Sequence, residues 1–170
     1  MNFDAKSVSP QAVKSLAEEY YRSGFMCGES VAAAVFKSFG VENGEQLIAM
    51  ASGMGAGIGK SGCLCGALNG GVIALGLFFG RTVPGDPSGK KCMALCHELH
   101  DWFRAASAKN ATCCRVLTKG FDMSKGEHKV QCVALTGLCA GKTAEIICRE
   151  LGIENTDSEP IEGLKEPFRP

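Results

Sequence analysis

The chain has 170 residues, and 45% of them are hydrophobic, which excludes an intrinsically disordered protein. The 18 Lys and Arg are balanced by 18 Asp and Glu, so no excess charge attracts nucleic acid or an anionic membrane surface. The unusual numbers are 22 Gly and 10 Cys. Ten cysteines in a chain of this size indicate disulfides, a metal site or thiol chemistry.

The beginning of the chain indicates where the protein acts. Residues 1–10 include Asp4 and Lys6 and contain no apolar run, so they do not resemble a signal peptide. We therefore expect a cytoplasmic protein whose thiols stay reduced, which disfavours structural disulfides. The longest apolar stretch, residues 66–80, is shorter than the ~20 residues of a membrane helix, so no membrane insertion is expected.

Helical patterns cover most of the chain. Ser9-Pro10 is typical of an N-cap followed by proline at the first helical position, and this first helix should end at Gly24. Six further helical segments follow, at about residues 27–39, 45–52, 63–79, 90–106, 113–119 and 127–151. No stretch has the pattern of a strand, which predicts an all-α fold, a compact bundle of about five to seven helices.

The domain organisation that these segments predict is simple. We expect a single domain over residues 1–170, with a helical core at about residues 9–151. The acidic, proline-bearing residues 152–170 should form an extended surface tail.

Glycine alternates with other residues along residues 53–62. Alternating glycines cannot hold a helix, so this segment predicts a tight loop. A phosphate-binding loop would need glycine five residues before the Gly-Lys pair, where this chain has Met54. We predict instead that the loop covers a centre formed by several of the cysteines. Gly55, Gly57 and Gly59 should then lie next to a cofactor.

Several cysteines stand at predicted helix starts. Cys27 begins one helix, Cys65 lies where the glycine loop enters the next, and Cys114 lies at a third. At a helix N-terminus the positive end of the dipole lowers the thiol pKa, and thiolate is the form that attacks disulfides and binds metal. The pattern predicts a polar centre inside an apolar bundle, although free cysteines are also often buried as simple packing residues.

A second group of candidate residues shares one helix. Cys92, Cys96 and His100 are spaced four residues apart and so lie on one face. Sulfur and imidazole suit zinc or copper, but buried cysteines also pack as small hydrophobes. The run Cys92-Met-Ala-Leu-Cys96-His97 has one residue too many for a haem c attachment motif, so covalent haem is not expected.

The segment Cys65-Gly66-Ala67-Leu68-Asn69-Gly70 fits a CGAxxG pattern. Cys27 lies in Met-Cys-Gly-Glu-Ser, Cys114 in Cys-Arg-Val-Leu and Cys132 in Gln-Cys-Val. With the glycine-rich stretch before them, these motifs resemble the C_GCAxxG_C_C family of redox-active proteins over roughly residues 10–150. That family is defined by four cysteines and this motif.

The resemblance implies a redox centre at four positions, which are Cys27, Cys65, Cys114 and Cys132. A similar module accompanies haem domains in split-Soret-type cytochromes, where it is associated with an iron–sulfur centre. This chain adds six further cysteines to the family pattern. Two of them, Cys63 and Cys113, lie close enough in sequence to replace Cys65 and Cys114 as ligands.

Four thiolates in a bundle core suit a [2Fe–2S] cluster, which takes four Cys ligands. We therefore expect one-electron transfer to or from a redox protein partner, rather than conversion of a substrate. One alternative is a metal-free thiol–disulfide protein that uses Cys27 with Cys65, or Cys113 with Cys114. Another is a non-catalytic zinc- or copper-binding module. The apolar, glycine-rich fourth helix is compatible with a homodimer.

Overall fold

Seven α-helices, a short 3-10 helix and two two-residue strands form the fold in the computed structural model, which describes residues 2–169. The helices are α1 (Pro10–Arg22), α2 (Cys27–Ser38), α3 (Gly44–Ile48), α4 (Gly66–Phe79), α5 (Ser88–Ala106), α6 (Cys114–Leu117) and α7 (Lys129–Leu151). The 3-10 helix is Ala49–Met54, and the strands are β1 (Ser7–Val8) and β2 (Glu154–Asn155). The predicted all-α class is confirmed.

The start of α1 matches its sequence signals. The Ser9 hydroxyl accepts a hydrogen bond from the Ala12 amide at 3.0 Å, and Pro10 occupies the first turn, where its missing N–H costs nothing. The Asp157 carboxylate accepts two more hydrogen bonds, from the Ser9 hydroxyl at 2.8 Å and the Gln11 amide at 2.7 Å. These bonds attach the segment after α7 to the start of α1.

The helix α4 begins three residues later than the sequence predicts. Leu64 forms an antiparallel bridge with Cys113, and the Cys65 amide donates a hydrogen bond to the Thr112 carbonyl at 2.8 Å. This pairing keeps the backbone extended, so the helix cannot begin before Gly66. The glycine loop and the start of α6 are therefore joined by backbone hydrogen bonds directly beside two of the candidate cysteines.

A small sheet that no sequence pattern indicated joins the two ends of the helical core. β1 and β2 pair in parallel, and runs of two residues are too short to show the alternation of a strand. Beyond β2 the chain crosses the surface without regular structure. Ile161 is buried in this segment, and the Leu164 amide donates to the Ala106 carbonyl at 2.9 Å.

The helix α7 lies at the centre of the bundle and packs against α1, α2, α4 and α5. By length and composition alone it could cross a membrane, but 72% of its most apolar window is buried inside the fold. The largest fully buried side chains of the surrounding core include Phe36, Phe39, Phe103, Leu68, Leu75 and Leu99. The interior around α7 is therefore mainly apolar, with Gln131, Thr136 and Thr143 as its buried polar side chains.

The backbones of α2 and α4 touch at two glycines. A Cβ on Gly70 would lie 2.5 Å from the Gly28 carbonyl oxygen and 2.9 Å from the Val31 Cβ. These distances leave no room for a side chain, so glycine is what permits the close crossing. The contact lies one turn from Cys27 in α2 and draws the start of α2 toward Cys65 at the start of α4.

Replacing Gly70 by alanine tests this contact. We expect Gly70→Ala to lower the free energy of unfolding by about 1–3 kcal/mol, because the methyl group pushes the two helices apart. Gly76→Ala in the same helix is the matched control, since a Cβ there would meet nothing within 4 Å. It should be neutral or stabilise by up to about 1 kcal/mol. Urea unfolding of both variants measures the difference, and equal effects would contradict the close crossing.

Candidate metal centre

Four of the ten cysteines line one small cavity of about 50 Å³. They are the four that the family motif singled out, Cys27, Cys65, Cys114 and Cys132. Cys27 and Cys114 are the first residues of α2 and α6, Cys65 is the N-cap of α4, and Cys132 lies near the start of α7. The starts of four helices therefore converge on one point.

Each fixed residue of the CGAxxG motif has a structural role. Cys65 lines the cavity, and a Cβ on Gly66 would overlap the Cys27 sulfur. The Ala67 backbone opposes the rise in the pKa of both the Cys27 and the Cys65 thiol. Gly70 makes the close crossing with α2. The motif thus both supplies one thiol and makes room for another.

The glycine loop reaches the centre through a left-handed turn. Ala56, Ile58 and Lys60 have φ of 49°, 62° and 66°, a region that costs a residue with a side chain roughly 1–2 kcal/mol. Ala56 lines the cavity, and its backbone opposes the rise in the pKa of the Cys27 thiol. Backbone strain at a functional site is expected where it fixes such a contact.

The three glycines predicted to contact a cofactor lie at different distances from the cavity. Gly57 is beside the cysteines, because a Cβ there would lie 2.6 Å from the Cys63 amide nitrogen and 2.8 Å from the Cys114 Cβ. Gly55 packs against a methionine side chain, and a Cβ on Gly59 would meet nothing within 4 Å. None of the three is among the described residues that line the cavity, so the loop contacts it through alanine instead.

Burial raises the pKa of all four cavity thiols. For Cys132 burial, with repulsion from Cys27 and Cys114, raises the pKa to about 12. Amide hydrogen bonds oppose the effect at Cys27 without reversing it. The expectation that helix N-termini lower these pKa values is therefore wrong, because the desolvation of a buried charge outweighs a helix dipole.

Three polar side chains that no motif pointed to also line the cavity. They are Tyr21 in α1, His128 at the N-cap of α7, and Thr136 in α7. His128 and Thr136 lie four residues before and after Cys132 and so share its helix face. The four-residue spacing from Cys132 is a sequence signal that would have identified His128 and Thr136. Tyr21 lies in a different helix and carries no such signal.

The remaining cysteines lie outside the cavity lining. The two candidate substitutes differ from the ligands they would replace, because Cys63 is exposed and the Cys113 thiol donates a hydrogen bond to the Gly62 carbonyl at 3.1 Å. Cys139 and Cys148 are buried in the core. Their surroundings indicate a packing role.

The second candidate site separates into two parts. Burial, with Cys92 nearby, raises the pKa of Cys96 to about 12, whereas the His100 Nδ1 lies 2.9 Å from the Asp101 carboxylate. In the described part of the chain, the group of three metal-ligating side chains whose ligand atoms all lie within 4.8 Å is His97, His100 and Asp101. The Asp101 carboxylate contacts both rings, so these exposed groups have polar partners without a metal.

Together the fold and the site define a helical, cysteine-rich protein with four thiols around one cavity. The family model described as "Putative redox-active protein (C_GCAxxG_C_C)" matches residues 25–146. Because the match spans more than half of the sequence, the chain belongs to this redox-active family, as its motif predicted. No curated protein matches the chain at a significant level.

A similar fold occurs in the split-Soret cytochrome c from Desulfovibrio desulfuricans, a solved structure that is described as having a novel iron centre. The two chains are 21% identical, with a TM-score of 0.69. The alignment covers 94% of this chain and 77% of the cytochrome chain. This likeness establishes a shared fold.

The raised thiol pKa values predict the pH dependence of the reduced, metal-free protein. An unfolded cysteine has a pKa of about 8.5, whereas the folded Cys132 has a pKa of about 12. Between those values the folded state keeps protons that the unfolded state releases, so the free energy of unfolding falls as pH rises. The stabilisation is fully present below about pH 8 and is lost toward pH 12.

Urea unfolding at several pH values in the presence of a reductant measures this dependence. Because lysines and tyrosines also titrate in the upper part of the range, the informative quantity is the difference between the wild type and Cys132→Ala. The variant should lose stability less steeply, by up to about 1.4 kcal/mol per pH unit. An identical slope would show that Cys132 does not hold its proton in the folded state.

Proposed function

We propose that this protein is a one-electron carrier in which Cys27, Cys65, Cys114 and Cys132 hold an iron–sulfur cluster of the [2Fe–2S] type. The observation that carries the proposal is the convergence of four thiols on one small buried cavity. Membership of a family described as redox-active supports the class of function. We further propose that the protein works in the cytoplasm with another redox protein as its partner.

The donor set and the cavity fit an iron–sulfur cluster. Four cysteine thiolates are the usual ligands of such clusters. The Nδ1 of His128 and the Oγ1 of Thr136 are buried without a hydrogen-bond partner in the described chain, and a bound polar group would explain them. A cavity of about 50 Å³ suits a small inorganic group, since organic cofactors occupy pockets of roughly 300–1,000 Å³.

The spacing of the sulfurs favours a cluster over a single metal ion. In a tetrahedral zinc site each sulfur lies about 2.3 Å from the metal, and so about 3.8 Å from the next sulfur. Among residues 2–169, no three of the four cavity sulfurs lie within 4.8 Å of one another. A [2Fe–2S] cluster takes two thiolates on each iron and so accommodates a wider spread.

Thiol–disulfide exchange is less well supported by these surroundings. Exchange requires a thiolate, and burial raises the pKa of each cavity thiol. Cys113 and Cys114 are adjacent in sequence, but their side chains make different contacts. Cys114 lines the cavity, whereas the Cys113 thiol donates a hydrogen bond to the Gly62 carbonyl. A metal cation overcomes the high pKa, since it binds the thiolate and releases the proton.

The chain's own residues would provide the environment of the centre. When bound, the cluster supplies a one-electron couple. Leu117 and Leu135 line the cavity, are each 2% exposed and exclude water from that side. Met26 and Met123 also line it but are 37% and 48% exposed. The two exposed methionines therefore mark where the cavity lies nearest the surface, and there an electron would pass to a partner.

Neighbouring cysteines provide matched variants for a test. Cys65→Ser and Cys114→Ser should lose most of the bound iron, because a serine oxygen is a poor ligand for iron in place of thiolate. We expect the loss to be at least the roughly 10–100-fold caused by changes outside the ligand shell. Cys63→Ser and Cys113→Ser should keep the iron, since neither side chain lines the cavity.

The measurement is anaerobic reconstitution with iron and sulfide, followed by visible absorption and analysis of iron, sulfide and zinc. Cys92→Ser and Cys96→Ser complete the series and should also keep the iron. Bound zinc in a colourless protein would favour the single-ion alternative. A wild-type protein that binds neither metal but oxidises reversibly would favour thiol–disulfide chemistry.

A glycine pair tests how the loop supports Cys114. Gly57 and Gly59 both have positive φ, of 73° and 56°, so alanine strains the backbone at either position. Only at position 57 would the added methyl group also displace the Cys114 Cβ, at 2.8 Å. Gly57→Ala should therefore lose iron to a chelator faster than Gly59→Ala, and equal rates would contradict this role of the loop.

A further inference from the structure

Two hydroxyl groups at the cavity are not accounted for by ligation. Thr136 has no exposed surface, its side chain lines the cavity, and its Oγ1 has no hydrogen-bond partner in the part of the chain that the structure describes. A buried hydroxyl without a partner costs about 1–3 kcal/mol. Such a group in a native protein therefore indicates something it binds that is not part of the chain.

The second hydroxyl belongs to Tyr21, which enters the cavity from α1. Tyr21 and Cys132 both line the cavity, and the nearby phenol opposes the rise in the pKa of the Cys132 thiol. A phenol donates to a thiolate, because a thiolate has no proton to give. Thr136 therefore lies one turn after Cys132 in α7, and Tyr21 reaches the same cavity from α1.

We propose that the hydroxyls of Tyr21 and Thr136 donate hydrogen bonds to the cysteine-held centre and thereby set its reduction potential. This inference rests on the proposed function, since it concerns the same four cysteines. Hydrogen bonds to cluster sulfurs stabilise the reduced state, which carries one more negative charge than the oxidised state. The two side chains are positioning residues for electron transfer and are not ligands.

His128 is the third polar group at the cavity, and its Nδ1 is also without a partner in the described chain. Imidazole can ligate iron as well as donate a hydrogen bond, so a change at His128 alters two properties at once. The two hydroxyls give the cleaner test. Each can be removed with little change of shape, by Tyr21→Phe and by Thr136→Val.

The chain contains a matched control for each variant. Tyr20 lies beside Tyr21 in sequence but packs against Phe25, with 5.9 Å between the ring centroids, and does not line the cavity. Thr143 lies two helical turns beyond Thr136 in α7, is equally buried, and donates its hydroxyl to the Cys139 carbonyl at 2.7 Å. Tyr20→Phe and Thr143→Val therefore remove the same groups at a distance from the centre.

The experiment is a redox titration, with visible spectra, of the iron-reconstituted wild type and the four variants. Each cavity variant should keep its iron and shift the reduction equilibrium about tenfold toward the oxidised form, a fall of about 59 mV for a one-electron couple. The double variant, measured alongside the four single variants, should shift the potential further in the same direction than either single change. The control variants should keep the wild-type potential and spectrum. Thr136→Ser, which keeps a hydroxyl at this position, should also keep the wild-type potential.

Unchanged potentials in both cavity variants would overturn the inference and leave the proposed function intact. Equal shifts in the control variants would also overturn it, because they would show a general effect of altered packing. Loss of iron from a cavity variant that keeps its helical circular dichroism would make that side chain a ligand instead. If the wild type binds no iron, this inference and the proposed function fail together.

Discussion

The backbone contact between α2 and α4 is the constraint on which the cysteine cavity depends. Helices that pack through side chains keep their axes about 8–10 Å apart. Gly28 and Gly70 remove those side chains at the crossing, so the starts of both helices come together. Cys27 and Cys65 stand at those starts, so a larger residue at the crossing would push the two thiols apart.

Burial and a bound metal have opposite effects on the thiolates of the cysteine cavity. An apolar wall excludes water and raises the thiol pKa values, which disfavours thiolates in the metal-free protein. A bound cation reverses the balance, because it supplies the positive charge that the buried thiolates need. The amides of Ala56 and Ala67 contribute in the same direction at Cys27. The pocket is therefore suited to thiolates only when a metal is present, so metal loading and proton release are coupled.

Local signals predicted the helices and the family resemblance pointed to the four cysteines, whereas long-range contacts produced the differences. The Ser9-Pro10 cap and the CGAxxG motif are read from neighbouring residues, and both correspond to features of the structure. The later start of α4 depends on the bridge between Leu64 and Cys113, which joins distant parts of the chain. The rise in the thiol pKa values likewise depends on how deeply the folded chain buries each sulfur, which helix position alone does not reveal.

The segments outside the family match help to position a side chain at the cavity. The match begins after α1 and ends within α7, yet α1 supplies Tyr21 to the cavity. The position of α1 is held along α7, and at its start by the hydrogen bonds that Ser9 and Gln11 donate to the Asp157 carboxylate. The segment after α7 thus supports the helix whose other end reaches the centre. Since a hydrogen bond depends steeply on distance and angle, this remote attachment helps to fix the phenol beside Cys132.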